Sequence, residues 1–244
     1  LKNSNERKFK KSTRFRKTLF FYEDNHTYVD DCGENYISVT SLKKKFFPDF
    51  DEIKIAKEMS ERSGDPVDFI LKYWKTISDL ANIHGTNVHF ACEEYIKNKN
   101  IIKFDKKKTN DCCIVARDFI DKEVKNVVTC EKILFSPSLK IAGQVDLISR
   151  DCDCLIIDDW KTNKKISKSS FDDEVGLYPF EDFPNSDFWH YVYQLNMYLY
   201  IIVSENYYNW AKRYKLRIFH VKDKVVIYDI PIIQDKIQRL IDSL

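Results

Sequence analysis

Between Ile141 and Lys161 the chain reads IAGQVDLISRDCDCLIIDDWK, and this stretch limits the fold more than any other. Residues 139 to 149 read as a strand, because Ile141, Val145, Leu147 and Ile148 around Gly143 leave no helical stripe. Arg150, Asp151 and Asp153 read as a turn, and Leu155 to Lys161 as the returning strand. A turn centred on Cys152 and Asp153 places Asp146 directly opposite Asp159. Opposed residues share a face of the sheet, with Cβ atoms roughly 5 Å apart. Alternation brings Lys161 to the same face and turns Asp158 and Trp160 to the other. Two carboxylates and an ammonium then meet at one spot. Such a group makes chemical sense when a divalent metal takes the carboxylates and the lysine faces an anionic substrate. Facing carboxylates repel unless a cation neutralises them, and hard oxygen ligands suit Mg²⁺ or Mn²⁺ better than zinc.

The 244 residues suffice for one well-buried domain without disulfide staples. Only 5 glycines occur, and no GxGxxG or GxxxxGK[ST] pattern, which argues against a phosphate-cradling loop fold. The net charge of +2 is unevenly spread. Lys2, Arg7, Lys8, Lys10, Lys11, Arg14, Arg16 and Lys17 stand against Glu6 alone. Residues 1–17 therefore read as a basic flexible arm, either tracking a phosphate backbone or merely solubilising the terminus. A second basic run, Lys161, Lys164, Lys165 and Lys168, begins at the paired carboxylates and points toward nucleic acid. The seven cysteines lack zinc-knuckle spacing and read as reduced thiols. With no apolar signal segment, and a run from Tyr191 to Ser204 too short and polar to span a bilayer, the expectation is an intracellular protein that is not secreted.

Thr18 to Tyr22, Thr27 to Val29 and Tyr36 to Val39 read as short strands, with Thr40 or Ser41 capping the next segment. Helical periodicity covers Glu52 to Glu61, Pro66 to Tyr73 and onward through Ile77, Leu80, Ile83 and Val88 toward Tyr95. The N-terminal portion is accordingly expected to be helical, chiefly over residues 50–100. Ile114 to Phe119, Val127 to Phe135, Leu139 to Ser149 and Leu155 to Lys161 read as strands. Residues 162–186 read as a loop or lid, and Asp187 to Tyr208 as a long helix. A hairpin then pairs Leu216 to Val221 with Val225 to Ile230, and Pro231 opens a last helix. The fold class is α/β, with residues 18–244 as one domain and its sheet core over about 110–230.

Five short patterns occur in order: Gly85-Thr86-Asn87-Val88-His89, Glu131, Gly143-Gln144-Val145-Asp146, Asp159-Trp160-Lys161 and Gln194-Leu195-Asn196-Met197-Tyr198. Together they resemble the RecB-like branch of the PD-(D/E)XK nuclease superfamily, similar to the mitochondrial genome maintenance exonuclease and the CRISPR-associated exonucleases. The resemblance spans about residues 80 to 230. It implies a restriction-endonuclease-like core, a mixed sheet flanked by helices. It also implies a metal-dependent DNA exonuclease acting on single-stranded ends or flaps in replication, repair or recombination, with proteins of those processes as partners. The rivals are a structure-specific endonuclease of the same fold and an inactive nucleic-acid-binding module.

Carried onto this chain, the resemblance makes Asp146, Asp159, Lys161 and Glu131 catalytic. It makes His89, Asp146, Asp159 and the Trp160 backbone carbonyl ligands of Mg²⁺ or Mn²⁺. Without it, His89 reads equally as a structural histidine and Glu131 as a surface glutamate beside Lys132. His84, five residues before His89, points elsewhere on the helix, and Glu93 lies one turn beyond. Gln194 and Tyr198 share a helix face. The resemblance has them position DNA together with Lys164 and Lys165, whereas composition favours packing of Tyr198 in the core. Trp189, Tyr191, Tyr193 and Tyr200 enrich the same helix and are candidates to stack on bases. The cysteines of the iron–sulfur members, which come after the QxxxY helix, have no counterpart here, so no such cluster is expected.

Overall fold

Strand β6 (Ile141–Asp151) is the member on which the sheet is organised. The computed structural model describes residues 9–14, 17–170 and 172–244. Along one edge β6 pairs antiparallel with β5 (Val127–Ser136) over most of its length. Its other edge is shared. β4 (Asn35–Ser38) runs parallel to its start, through Ile37↔Ile141 and Ser38↔Ala142. β7 (Cys154–Lys161) runs antiparallel to its end, from Asp151↔Cys154 to Leu147↔Asp158. Residues 143–146 fall between these two pairings, so the sheet forks there and leaves an opening beside Asp146. A parallel strand β8 (Arg213–Val221) and the hairpin strand β9 (Val225–Ile230) complete one side. β1 (Phe9–Arg14), β2 (Lys17–Tyr22), β3 (Thr27–Asp30) and β4 form an antiparallel meander on the other. The result is one mixed sheet of nine strands among the described residues.

Helices cover both faces, and alternation along β7 decides which side chain meets which layer. Leu155 and Ile157 enter a cluster with α1 (Val39–Lys43), α5 (Asp187–Ser204) and α6 (Gln234–Asp242). Trp160 enters a second cluster with α3 (Val67–Asn98), α4 (Lys107–Glu123) and Phe219 of β8. Asp158 is wholly buried on that second face and is held by Arg217 directly across β8, through Nε at 2.6 Å and Nη2 at 2.9 Å. α5 is apolar all round because it is sandwiched, and its buried Asn196 is satisfied. The Asn196 amide donates to the carbonyls of Val192 and Pro231 and its oxygen accepts from Ile233 N, which fastens α5 to the turn before α6. No helix of the described residues is long and apolar enough to cross a membrane.

The structure corrects several expectations. The N-terminal portion is not helical: it opens with four strands, and α2 (Glu52–Ser63) and α3 come after them. The alternation that makes them strands is visible in their burial, Leu19 and Phe21 on β2, Tyr28 and Asp30 on β3, Tyr36 and Ser38 on β4. Residues 1–8 and 15–16 of the expected basic arm, with Lys2, Arg7, Lys8 and Arg16, lie outside the described residues. Phe9 to Arg14 are a strand paired residue by residue with β2, not a free arm. Ile114 to Phe119 belong to helix α4. Their β-branched start suggests a strand, but Thr109, Cys112, Ala116 and Ile120 recur at helical spacing and are the buried set. The first helix is capped by Ser38, whose hydroxyl accepts from Ser41 N, rather than by Thr40 or Ser41. α5 stops at Ser204, four residues short of Tyr208, and α6 begins at Gln234, beyond Pro231.

Two substitutions test this packing. A Cβ on Gly143 would lie 2.5 Å from Tyr198 Cε1 and 3.3 Å from Val39 Cγ2. Gly143→Ala is expected to cost ~1–3 kcal/mol in urea unfolding, as overpacking does, and much less when Tyr198→Leu is combined with it. Additive costs would show that the ring is not the obstacle. Arg217→Leu strands a buried carboxylate, a loss of ~3–5 kcal/mol near neutral pH. Burial already raises the Asp158 carboxyl above its ordinary range in spite of Arg217. In the variant the folded chain binds that proton more tightly than the unfolded one, so the deficit shrinks on acidification and grows as pH rises above ~4.

Candidate metal centre

The centre forms at the fork. Beyond the last ladder pair, Leu147↔Asp158, the same register puts Asp146 level with Asp159, and β5 brings Glu131 level with Asp146 between the pairs Cys130↔Leu147 and Lys132↔Val145. Where the ladder ends, the Trp160 amide donates to Asp146 Oδ2 at 2.8 Å. The expected contribution of Trp160 is its carbonyl; its amide is the group seen at Asp146. From the opposite layer α3 delivers His89, with Nδ1 3.3 Å from the same Oδ2. The helix comes this close because Gly85 faces the end of β7. A Cβ there would sit 3.3 Å from Thr162 Oγ1. One turn on, Val88 is fully buried in the core and directs His89 toward the sheet.

Asp159 and Lys161 occupy the other side of the opening as an ion pair, with side-chain exposures of 3% and 16%. Asp159 Oδ1 accepts from Gln194 Nε2 at 3.3 Å, and the same amide donates to the Tyr198 hydroxyl at 2.9 Å. Lys161 Nζ also lies 4.7 Å from the centre of the Tyr191 ring. The QxxxY spacing thus has a mechanical meaning: Tyr198 fills the space that Gly143 leaves, and Gln194 carries that fixed position to Asp159. Tyr198 is 3% exposed, so it supports the carboxylate from beneath and offers a strand no surface.

His89, Glu131 and Asp146 each bring one ligand atom within 4.8 Å of the others, a set able to hold a metal ion. Asp159, expected as a ligand, stands outside this trio, engaged with Lys161 and Gln194. Glu131 is the member the sequence marks least. It sits at φ 52° within a strand, a left-handed conformation uncommon outside glycine, while the register on either side is unbroken. Its Oε2 accepts from Gln144 Nε2, and Lys10 of β1 lies 3.6 Å away. An acid in an unfavourable backbone state, facing another acid, is a pattern found where function sustains strain.

The electrostatics reflect the crowding of like charges. Burial pushes Glu131 up to about 8, and Asp146 adds to the push against the pull of Lys10. Burial also raises Asp159, to about 6, despite Lys161. Burial opposes charge on His89, yet Asp146 outweighs it and holds the imidazole at about 9. Asp146 in turn stays below its ordinary value because His89, Lys161 and the Trp160 amide outweigh its burial. Lys161 is held above its usual range by Asp159 and Asp146, against the cost of burial.

The remaining expected residues spread outward. Lys164 and Lys165 are exposed on the loop that leaves β7, and Lys168 lies over Phe188. Of the aromatic residues on α5, Tyr193 is fully buried, Trp189 stacks on Phe183 at 4.1 Å, and Tyr200 bonds to Gln238. Of the four proposed stacking candidates Trp189, Tyr191, Tyr193 and Tyr200, Tyr191 is the one shown beside the centre, next to Lys161. His84 bonds to Thr109 on α4, away from it, and Glu93 pairs with Lys97.

No family model and no curated protein matches the chain. Among solved structures, one described as "Crystal structure of SSO0001" is similar at 19% identity and a TM-score of 0.32, over 86% of this chain and 75% of that one.

Proposed function

We propose that the chain is a Mg²⁺- or Mn²⁺-dependent deoxyribonuclease of the RecB-like PD-(D/E)XK kind, an exonuclease acting on single-stranded ends. The observation that carries this reading is the convergence of His89, Glu131 and Asp146 beside the buried Asp159–Lys161 pair. The donor set is two carboxylates and one imidazole, without thiolate, which fits a hard divalent cation. Such an ion supplies Lewis-acid polarisation of a phosphate oxygen and lowers the pKa of water. The remaining work belongs to the chain. Lys161 keeps its proton and presents a positive charge, which favours the phosphate as it gains negative charge in the transition state. Asp159, through its ion pair, keeps the Lys161 ammonium at the edge of the trio. Gln194, backed by Tyr198, keeps that carboxylate in one orientation. Lys164 and Lys165, exposed just beyond Lys161, provide the salt-sensitive hold on the strand. Tyr191, whose ring lies beside Lys161 Nζ, is the proposed stacking partner for a base.

Lys161→Ala is expected to lower the cleavage rate by ~10³-fold or more, a loss of about 4 kcal/mol in transition-state stabilisation, with circular dichroism and oligonucleotide affinity little changed. Turnover at the wild-type rate would remove Lys161 from the mechanism. Linear single-stranded DNA should be degraded progressively and a closed single-stranded circle should resist; equal digestion of both would replace the exonuclease by an endonuclease.

Metal binding has its own signature. At pH 7 both His89 and Glu131 carry protons in the metal-free chain. A ligand role requires them to lose these, so Mn²⁺ binding should release protons and tighten as pH rises from 6 to about 9. Calorimetry in buffers of different ionisation enthalpy measures the release. Binding that is flat with pH and releases no protons would exclude His89 and Glu131 as ligands.

A further inference from the structure

Helix α3 changes character along its length. Its C-terminal half is fixed in the core by Val88, Ala91 and Cys92, and carries His89 to the candidate centre. Its N-terminal half packs against α2 through the face of Val67, Ile70, Leu71 and Trp74. Beyond Trp74, residues 75–83 are all exposed. Nothing local holds these turns. Thr76, Ile77, Ser78, Asp79, Asn82 and Ile83 are middling or poor helix formers, and helices in proteins draw most of their stability from packing an apolar face. Such a face is present. Phe69, Tyr73, Ile77, Leu80 and Ile83 are each 50–59% exposed. At about 3.6 residues per turn they fall within an arc of about 120°, beside the face that α2 covers. Five side chains showing about half their surface make an apolar patch of roughly 500 Å², the size that marks an interaction surface.

Charge beside the stripe selects the occupant. Lys72 and Asp79 are two turns apart and share one flank, next to Ile83. Lys72 has no ion pair among the described residues, and Asp79 reaches Lys75 of its own helix at 3.7 Å. In an antiparallel two-fold pair centred on Thr76, like flank meets like flank and the order of residues reverses. Phe69 then lies level with the partner's Ile83, and Lys72 falls within one residue of the partner's Asp79, in both directions by symmetry. Covering both stripes removes roughly 1,000 Å² from water, the area at which a specific interface begins. We propose that the N-terminal half of α3 is a dimerisation surface whose occupant is the same stripe of a second copy of this chain, run antiparallel. The proposal does not depend on the nuclease reading.

Sedimentation velocity on the full chain tests it. The wild type should pass from monomer to dimer between ~1 and ~100 μM, as a small interface allows. Leu80→Glu should weaken that association by at least ~10-fold. Its circular dichroism and urea midpoint should stay at wild-type values, because Leu80 is half exposed in the single chain. Lys72→Asp and Asp79→Lys should each weaken the dimer, and the two together should restore it, since the exchanged charges still meet across the antiparallel pair. A wild type that stays monomeric over the whole range, or a dimer untouched by Leu80→Glu, would overturn the proposal. So would a double variant that fails to recover, because it removes the antiparallel register. A monomeric wild type whose hold on a single-stranded oligonucleotide weakens in Leu80→Glu would also overturn it and give the stripe to nucleic acid.

Discussion

Keeping the Asp146 carboxylate charged inside the sheet is the demand around which the rest is arranged. At the fork β6 has no strand hydrogen-bonded along the edge that β4 and β7 share, so a polar side chain can occupy the space a ladder would fill. The Trp160 amide, left over where the ladder stops, is then spent on the side chain instead of on a carbonyl. That bond and His89 together stabilise a negative charge that burial would otherwise discharge. Glu131 and Asp159, flanking the same carboxylate on neighbouring strands, meet the opposite outcome, and both are driven toward the protonated form. Three acids so placed are poorly compensated by side chains alone, and the proposed divalent cation would relieve Glu131 and Asp146 while Lys161 serves Asp159.

Alternation along β7 keeps this chemistry apart from the scaffold. Asp158 and Asp159 are adjacent in the chain, yet one is locked to Arg217 in the helical layer of α3 and α4, and the other meets Lys161 and Gln194 beneath α5. Trp160 packs edgewise among Phe119 and Phe219, which anchors the strand against rotation about its own axis. A one-residue slip of β7 would exchange the two sets and place Trp160 in the opening. The buried Asp158–Arg217 pair makes that slip costly, because it would leave a guanidinium in the core without its acid.

Much of the site is legible in the sequence because it depends on local geometry. The β6–β7 turn sets the register, and the register alone brings Asp146, Asp159 and Lys161 together. Gly143 and Tyr198 are far apart in the chain, and their fit, ring against missing Cβ, emerges only in three dimensions. Glu131 is marked in the sequence only by the resemblance, for a different reason. Its reach depends on a left-handed backbone that residue identity does not announce. Helix α4 reads wrongly at Ile114 and Val115 because β-branched residues favour strands in isolation, and the tertiary burial of Cys112, Ala116 and Ile120 overrides them. That Phe9–Arg14 is a strand escapes a sequence reading because a run of basic residues looks alike whether it is free or paired with a neighbouring strand.

The packing of α5 bears on how substrate can be held. An aromatic helix invites the idea of a stacking platform, but most of its rings are committed to the core, to Phe183 or to Gln238. What lies at and just beyond the opening is charge: Lys161 at its floor, and Lys164 and Lys165 on the loop where β7 ends. Lysines grip phosphates without reading bases, so under the proposed function specificity would come from strand geometry and not from sequence. The fork itself supplies that geometry. It is bounded by β4 and β7, and α3 brings His89 over it, so the approach to Asp146 is set by the gap between the two strands.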